Sequence, residues 1–370
     1  VAAGFQTFQT VKNYDDALGR HGQWVRWLKG SKCACVHGIQ KQPDPQCNLC
    51  DGKGFVYRNP DEFTVLQENL KYGGSGIYYP LQTPVVSIQS ITHQGVDLTL
   101  SGSQPADGSY IAIDFPYLKP YNRVKCDYTY SSKTSVTDEN SEVIADNILR
   151  TVATRFTEKG KTFEGSVFSV SKVYNATKDE NYTVSSFSKE FIYLVDMGTW
   201  ASGDVLEVSY TYIHPFYFMM HTVSEKMRYE KSYILESADA ILVAPSWFTL
   251  SADDLFTALA QEAVGRIIIN PTARTGNDII ENVFDLASVP YVMDKNGVSY
   301  KEGTNFVVTN RNELKWITSK PTVNYSVEYL HHPTFRGLGE MSTVRNAENK
   351  VFANRINVKL WQGASEGMMF

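Results

Sequence analysis

Three stretches of this 370-residue chain close in nearly the same way, and that degenerate repeat limits the folds open to it more than any other feature. The first runs from VVSIQSITHQGVDLTL through GSYIAIDF to VKCDYTY at Val124–Tyr130. The second runs from SVFSVSKVYNATKDENYTV through FIYLVD to SGDVLEVSYTYIHP at Ser202–Pro215, and the third from VFDLASVPYVMDKNGVSYKEGTNFVV through ELKWIT to VNYSVEYLHHP at Val323–Pro333. Each leads with a Val-rich strand, passes a polar turn and a strand with an aromatic near its start (Tyr110, Tyr182, Phe306), and ends in an apolar-polar-Tyr strand. Side chains alternate across a strand, so such a unit can bury one face by stacking two small sheets. Tyr128, Tyr210 and Tyr329 then fall on equivalent faces, packing a core or an interface or, on a sharper reading, forming an aromatic platform for a ligand.

Composition agrees. With 42% hydrophobic and 20% charged residues the chain is an ordinary globular one, and 22 Tyr and 19 Phe favour strands. Short alternating runs between Gly, Asn, Asp, Ser and Pro follow one another from Phe55 to Ser132. The fold class expected is mainly β: several small β-sandwich or barrel modules with short connecting helices, behind an N-terminal helix and a zinc knuckle. Val11, Tyr14, Leu18, Val25 and Leu28 predict the N-terminal helix, with Asn13 as its cap, Trp24 and Trp27 on neighbouring positions and Gly30 as its stop. Val143, Ile144, Ile148, Leu149, Val152 and Phe156 predict an amphipathic connector helix over Asp138–Thr157, and ADDLFTALAQEAVGR a helix or long turn with Asp253 or Ser251 near its start and Asp253-Asp254 as N-terminal charges. The length suits two to four domains. The divisions expected are 1–60 (helix and knuckle), 61–135 (module 1), 136–218 (connector helix and module 2) and 219–370 (a connector-like barrel and module 3 with a C-terminal strand).

Four of the five cysteines lie within 18 residues: Cys33 and Cys35, then Cys47 and Cys50. Zinc takes four thiolate or imidazole ligands in a tetrahedron, and two close pairs joined by a loop bring four to one point. Pro43-Asp44-Pro45 turns the loop, and Asp51-Gly52-Lys53-Gly54 lets backbone amides approach the sulfurs. The first pair is CxC and not CxxC, so His37 is a possible substitute ligand and a disulfide framework a competing reading. Four sulfurs leave no open position on the ion, which makes the expected role structural. Cys126, in RVKCDYTY, is expected to be a buried free thiol.

Residues 1–58 carry eight Lys or Arg against four Asp, a balance of +4 that leaves −9 for the remainder of a chain whose net charge is −5. A basic head fits a nucleic-acid contact or an acidic neighbouring subunit. No apolar run reaches the roughly 20 residues that span a bilayer, and VAAGFQTFQT is not a signal peptide, so no membrane partner is expected. The tools of catalysis do not assemble either. No GxxxxGK[ST], GxSxG, HExxH or GxGxxG motif occurs. Gly160-Lys161-Thr162 has only the tail of a phosphate loop, and the adjacent His331 and His332 face opposite sides of a strand. The chain is expected not to be an enzyme.

LGRHGQWVRWLKGSKCACVHG followed by PDPQCNLCDGKGFVY resembles a pattern of tailed-bacteriophage virion proteins, a short helix and then a cluster ending Cys-x-x-Cys-x-Gly-x-Gly-x-x-Tyr. ADAILVAPSWFTLSADDLF and YSVEYLHHPTFRGLG resemble strands of phage head-closure and neck proteins. The likeness implies a neck or head-completion protein, a head-tail connector component forming a homo-oligomeric ring around the DNA channel. Its implied partners are other neck, portal or tail proteins, with non-specific contact to packaged DNA, in a virion assembled in the host cytoplasm. Cys33, Cys35, Cys47 and Cys50 carry over as metal ligands, and no catalytic residue does. The alternative expectation is a binding module: a zinc-containing nucleic-acid binder, or a β-sandwich that recognises carbohydrate or a host surface.

Overall fold

The computed structural model describes residues 11–361, apart from 37–42, 48–49, 51–53, 61–62, 81, 84, 107, 115–122, 159–160, 189, 199, 223–237, 272–276, 281–282, 284, 310–311 and 346–350. The chain is mainly β. Helix α1 (Val11–His21) leads into β1 (Gln23–Lys32) and β2 (Phe55–Arg58). Module 1 supplies β3 (Phe63–Asn69), β4 (Lys71–Gly74), β5 (Ile77–Tyr79), β6 (Val85–His93), β7 (Val96–Asp97), β8 (Ile111–Ala112) and β9 (Val124–Tyr130). Module 2 follows with β10 (Lys133–Asn140), β11 (Glu142–Ala145), β12 (Ile148–Arg150), β13 (Arg155–Glu158), β14 (Lys161–Glu164), β15 (Ser166–Asn175), β16 (Glu180–Asn181), β17 (Val184–Ser188), β18 (Phe191–Leu194) and β19 (Leu206–Ile213). Next come β20 (Phe216–Thr222), β21 (Ala240–Pro245) and β22 (Leu255–Ala258). Module 3 holds β23 (Ala263–Ile269), β24 (Asp278–Ile279), β25 (Leu286–Asp294), β26 (Ser299–Tyr300), β27 (Phe306–Thr309), β28 (Glu313–Trp316) and β29 (Tyr325–His331). The chain closes on β30 (Thr334–Arg345) and β31 (Val351–Leu360).

The three modules share one plan, as the repeat predicts. Their large sheets are ordered β3-β9-β6-β7, β10-β19-β15-β16 and β23-β29-β25-β26: entering strand, closing strand, leading strand, short hairpin strand. A smaller sheet accompanies each, β4-β5-β8, β11-β12-β18-β17 and β24-β28-β27. Tyr128, Tyr210 and Tyr329 sit at corresponding places on the closing strands, and all three are buried. Tyr128 donates to Glu68 Oε2 at 2.6 Å and Tyr210 to Glu139 Oε2 at 2.8 Å, each glutamate lying on the entering strand of its module. The rings are core, so the aromatic-platform reading falls away.

The remaining strands form a barrel. The order β2-β1-β20-β21-β31-β30-β22, with β1 also pairing β22, closes six staves into a ring and appends β2 to β1. Its interior is aromatic: Trp27 meets Phe216 (5.3 Å between ring centres), Phe248 (5.7 Å) and, from module 1, Phe63 (5.6 Å). Phe216 and Phe218 point inward, while Tyr217 and Met219 between and beyond them pack with Ile241, Val243 and the α1 residues Tyr14 and Leu18. Both faces of that wall are covered, which explains why β21, AILVAP, is buried throughout.

Three expected helices are corrected by this architecture, and among the described residues α1 is the single α-helix. It stops at His21, and the residue that follows has to be glycine: a Cβ at Gly22 would meet Tyr217 Cε1 at 2.4 Å and the Leu18 carbonyl oxygen at 2.5 Å. The chain then extends as β1, which puts Trp24 and Trp27 on opposite faces: Trp24 against Tyr217 (5.0 Å), Trp27 inside the barrel. Gly30 is no helix stop. A Cβ there would lie 2.1 Å from the Asp253 carbonyl oxygen, so glycine admits the close passage of that loop. The connector over Asp138–Thr157 consists of strands, with Asn147 (φ 62°) turning β11 into β12. Leu149 enters the module 2 core, and Ile148 packs on the other side with Phe191, Tyr193 and Val307, so burial on both faces mimicked helical spacing. ADDLFTALAQEAVGR likewise divides between β22 and β23.

Backbone contacts gather the chain into two compact units, neither of them continuous, in place of four consecutive stretches: 1–134 with 215–256 and 335–360, and 135–214 with 257–334 and 361–370. The barrel draws β1 from the expected knuckle region and its other staves from beyond residue 215, so the expected boundary at 60 falls inside the first unit.

Asp254 carries a large share of the barrel's polar bonding. Its fully buried carboxylate accepts from Trp27 Nε1 (2.9 Å), Gly30 N (3.0 Å), Ser251 N (2.9 Å) and Ser251 Oγ (2.7 Å). Asp254→Ala strands these donors and is expected to cost about 3 kcal/mol or more in chemical unfolding. In the second unit, burial pushes His214 down to about 4, beside Tyr212 Oη at 3.2 Å. An unfolded histidine takes up its proton near pH 6.5, so stability should fall from pH 6.5 to about 4 and draw no further loss from this group below that. Because the ring keeps some exposure, the effect expected is on the order of 2 kcal/mol. Unfolding midpoints of the wild type and His214→Gln should converge across that window.

Candidate metal centre

The four clustered cysteines stand at the tip of a two-stranded ribbon. β1 continues past the barrel wall and pairs with β2, Lys29 opposite Arg58 and Lys32 opposite Phe55. Cys33 therefore leaves β1 just where Gly54 enters β2, and Cys33 N donates to Gly54 O at 2.8 Å. The chain turns back after Cys33 through Val36 N to Cys33 O (3.0 Å). Asp44 shapes the second turn: its Oδ1 accepts from Gln46 N (2.9 Å) and its carbonyl from Cys47 N (3.1 Å). Gly54, at φ +78°, donates its amide to Cys50 Sγ at 3.3 Å, and a Cβ in its place would press on Pro43 and Val36 at 3.1–3.2 Å.

These turns bring all four sulfurs within 4.8 Å of one another. Cys33 Sγ lies 3.7 Å from Cys47 Sγ, and Cys35 Sγ lies 3.5 Å from Cys50 Sγ. Four sulfurs at about 2.3 Å from a central ion stand about 3.8 Å apart along the edges of their tetrahedron, which these distances approach. They are far beyond the ~2.05 Å of a disulfide bond, and all four thiols are free. The site can hold a metal ion with four protein ligands and no exchangeable position. Cys33 and Cys50 are buried, Cys35 and Cys47 partly so. Burial pushes the Cys35 thiol up to about 12, and the neighbouring thiols add to that shift. His37 lies outside the described residues.

A latch ties the ribbon to the barrel. Arg336, on β30, lies 4.3 Å over the Phe55 ring and pairs with Asp253 at 2.9 Å. Asp253 and Asp254 are thus barrel-rim and barrel-core carboxylates, where the sequence suggested helix N-terminal charges. Apart from Ser251, their partners Trp27, Gly30 and Arg336 come from distant strands, which no local pattern signals. Trp27 is 1% exposed and closed to any ligand. Cys126 is buried, with its thiol pushed up to about 12 chiefly by burial. His332 Nδ1 bonds the Gln261 carbonyl at 2.9 Å, and Lys161 and Thr162 lie on β14; Gly160 is outside the described residues. Among the described residues the four cysteines are the one cluster of three or more His, Cys, Asp or Glu side chains close enough for an ion.

Reduced protein is expected to carry one ion per chain by elemental analysis. Cys50→Ser should abolish that stoichiometry, and chelation should lower the thermal midpoint of the wild type while leaving that of Cys50→Ser unmoved. No protein-family model matches the chain, and no curated protein matches it.

Proposed function

We propose that this chain is a structural protein of a tailed-phage virion, placed in the neck at the head-to-tail junction as a ring of identical subunits, with zinc as a structural ion on Cys33, Cys35, Cys47 and Cys50. The observation that carries the reading is the coupling of the phage-like cysteine pattern to a barrel stave: β1 closes the ring of staves and delivers Cys33 to the cluster. Such a unit is rigid where it holds the ion, and its inserted sandwich modules offer sheet faces to neighbours. Zinc suits four thiolates because it has no preferred geometry beyond the tetrahedron they impose. The chain performs no chemistry in this reading; its partners are copies of itself and the adjoining portal, neck or tail proteins.

A second reading, a zinc-headed nucleic-acid binder, draws on one observation. Lys29 and Arg58 oppose each other across the ribbon, and among the described residues neither makes an ion pair. Like charges directly opposite repel, and a bound phosphate relieves the repulsion. The corresponding contact in a neck would be with packaged DNA. Lys41 and Lys53 lie outside the described residues.

The decisive experiment is mass spectrometry and cryo-electron microscopy of particles from the phage whose genome encodes the chain. The polypeptide is expected in stoichiometric copies at the neck, with zinc and not iron as its ion. Virions without it would end the structural reading. A salt-sensitive DNA affinity lost in Lys29→Gln/Arg58→Gln, together with absence from particles, would favour the second.

A further inference from the structure

The large sheet of every module ends on its entering strand. Among the described residues, β3, β10 and β23 each pair on one side with the closing strand and have no strand on the other. An open edge pairs with any strand that reaches it, and proteins blunt such edges with bulges, charges or proline.

β3 and β10 are blunted by the same device. In β3 the register slips between Val65 and Glu68, Gln67 takes φ 55° with its amide on the Asp127 carboxylate, and the next residue, Glu68, receives the tyrosine hydroxyl. In β10 Asp138 takes φ 49° with its amide on Ser209 Oγ, and the next residue, Glu139, receives the tyrosine hydroxyl. Each strand thus carries a kink held to the closing strand. β23 lacks it. Its seven residues oppose His331 to Tyr325 without a slip, and none has positive φ. Directly opposite Tyr329, where module 1 places Val65, stands Gly265, and a Cβ there would come within 2.3 Å of Cζ; the position of Glu68 is taken by Ile267.

The exposed face of this straight edge is apolar. Val264 is 63% exposed and Ile268 72%, on either side of Arg266, whose guanidinium is held by Glu328 of the same sheet at 2.7 Å. An open depression of about 570 Å3, lined in part by Arg266, Ile268, Tyr291 and Glu328, extends that surface inward from the edge.

We infer that β23 pairs antiparallel with β23 of a second copy of this chain, about a two-fold axis through Arg266. The segment AVGRIII is self-complementary in this register. Read in opposite directions about Arg266, it sets Val264 against Ile268 of the partner subunit, twice, on the exposed face. The two arginines meet at the axis, each already carrying its Glu328 carboxylate, so the repulsion between them is offset by a flanking negative charge on either side. Two four-stranded sheets become one of eight, and the straight one of the three entering-strand edges is closed. This contact is a dyad and not the ring contact of a neck assembly, so it stands or falls apart from the virion reading.

The test uses the full chain, reduced and metal-loaded. Sedimentation over a range of concentrations is expected to show reversible pairing, and Ile268→Lys to weaken it by at least about tenfold with an unchanged circular dichroism spectrum. Arg266→Cys should form an intermolecular disulfide at the axis on mild oxidation, identified by peptide mapping so that the knuckle thiols are told apart. Val264→Cys alone should not, because its two copies would stand about 13 Å apart along the strands, but mixed with Ile268→Cys it should. A strictly monomeric wild type, pairing indifferent to Ile268→Lys, or paired Arg266→Cys protein without the cross-link would overturn the inference.

Discussion

Trp27 is the point on which the first unit depends. It fills the barrel among Phe216, Phe218, Phe248 and Phe256, and its indole nitrogen is bound by Asp254 at the edge of β22. That single contact joins the two staves whose pairing closes the ring, since Asp254 also holds Gly30 of β1. A buried carboxylate is tolerated only when its acceptor sites are filled, and here the donors come from β1 and from Ser251 in the loop that leads into β22. Beyond Gly30 the same strand runs out to Cys33, so the position of the sulfur cluster is inherited from the barrel. Arg336, bridging Phe55 and Asp253, fixes the second strand of the ribbon in the same frame.

Repetition in the modules extends below topology to individual bonds. The pair formed by a left-handed residue and a following glutamate appears as Gln67-Glu68 and Asp138-Glu139, each clasping the closing-strand tyrosine. In the third module Ile267 takes the place of that carboxylate, and the ring settles onto the glycine opposite it, Gly265. The hydroxyl bond is exchanged for direct packing, and with the bond goes the kink. A change of one buried partner therefore alters the shape of a strand edge on the surface.

Much of this was legible in the residues. The turn-bounded alternating runs gave strands, the three closing motifs gave three modules, and the cysteine spacing gave a cluster that the structure does assemble to within 4.8 Å. The errors share a cause. Val25 to Leu28, Ile148-Leu149 and Leu255 to Ala258 are buried on both faces of their strands, which removes the period-two signal and leaves apolar spacings that a helix also satisfies. A barrel was expected within residues 219–370, but the part β1 plays in it was hidden for a different reason. Its staves are separated by whole modules, and no local pattern links β1 to a strand that begins at Phe216. Gln67 at positive φ was equally hidden, because glutamine carries none of the glycine or asparagine signature of such positions.

At the foot of module 3, Thr257 and Thr334 share a hydroxyl hydrogen bond of 2.9 Å, and Ala258 N donates to the Pro333 carbonyl at 3.0 Å. Departure and return are thereby stitched at one seam, with some 75 residues hung from it and little demanded of them by the staves on either side. A lineage carrying this architecture is free to lengthen, exchange or discard such a pendant at small cost to the barrel strands, provided the stitch survives. Diversity in proteins built this way should gather in the appendages, while the central cylinder changes slowly.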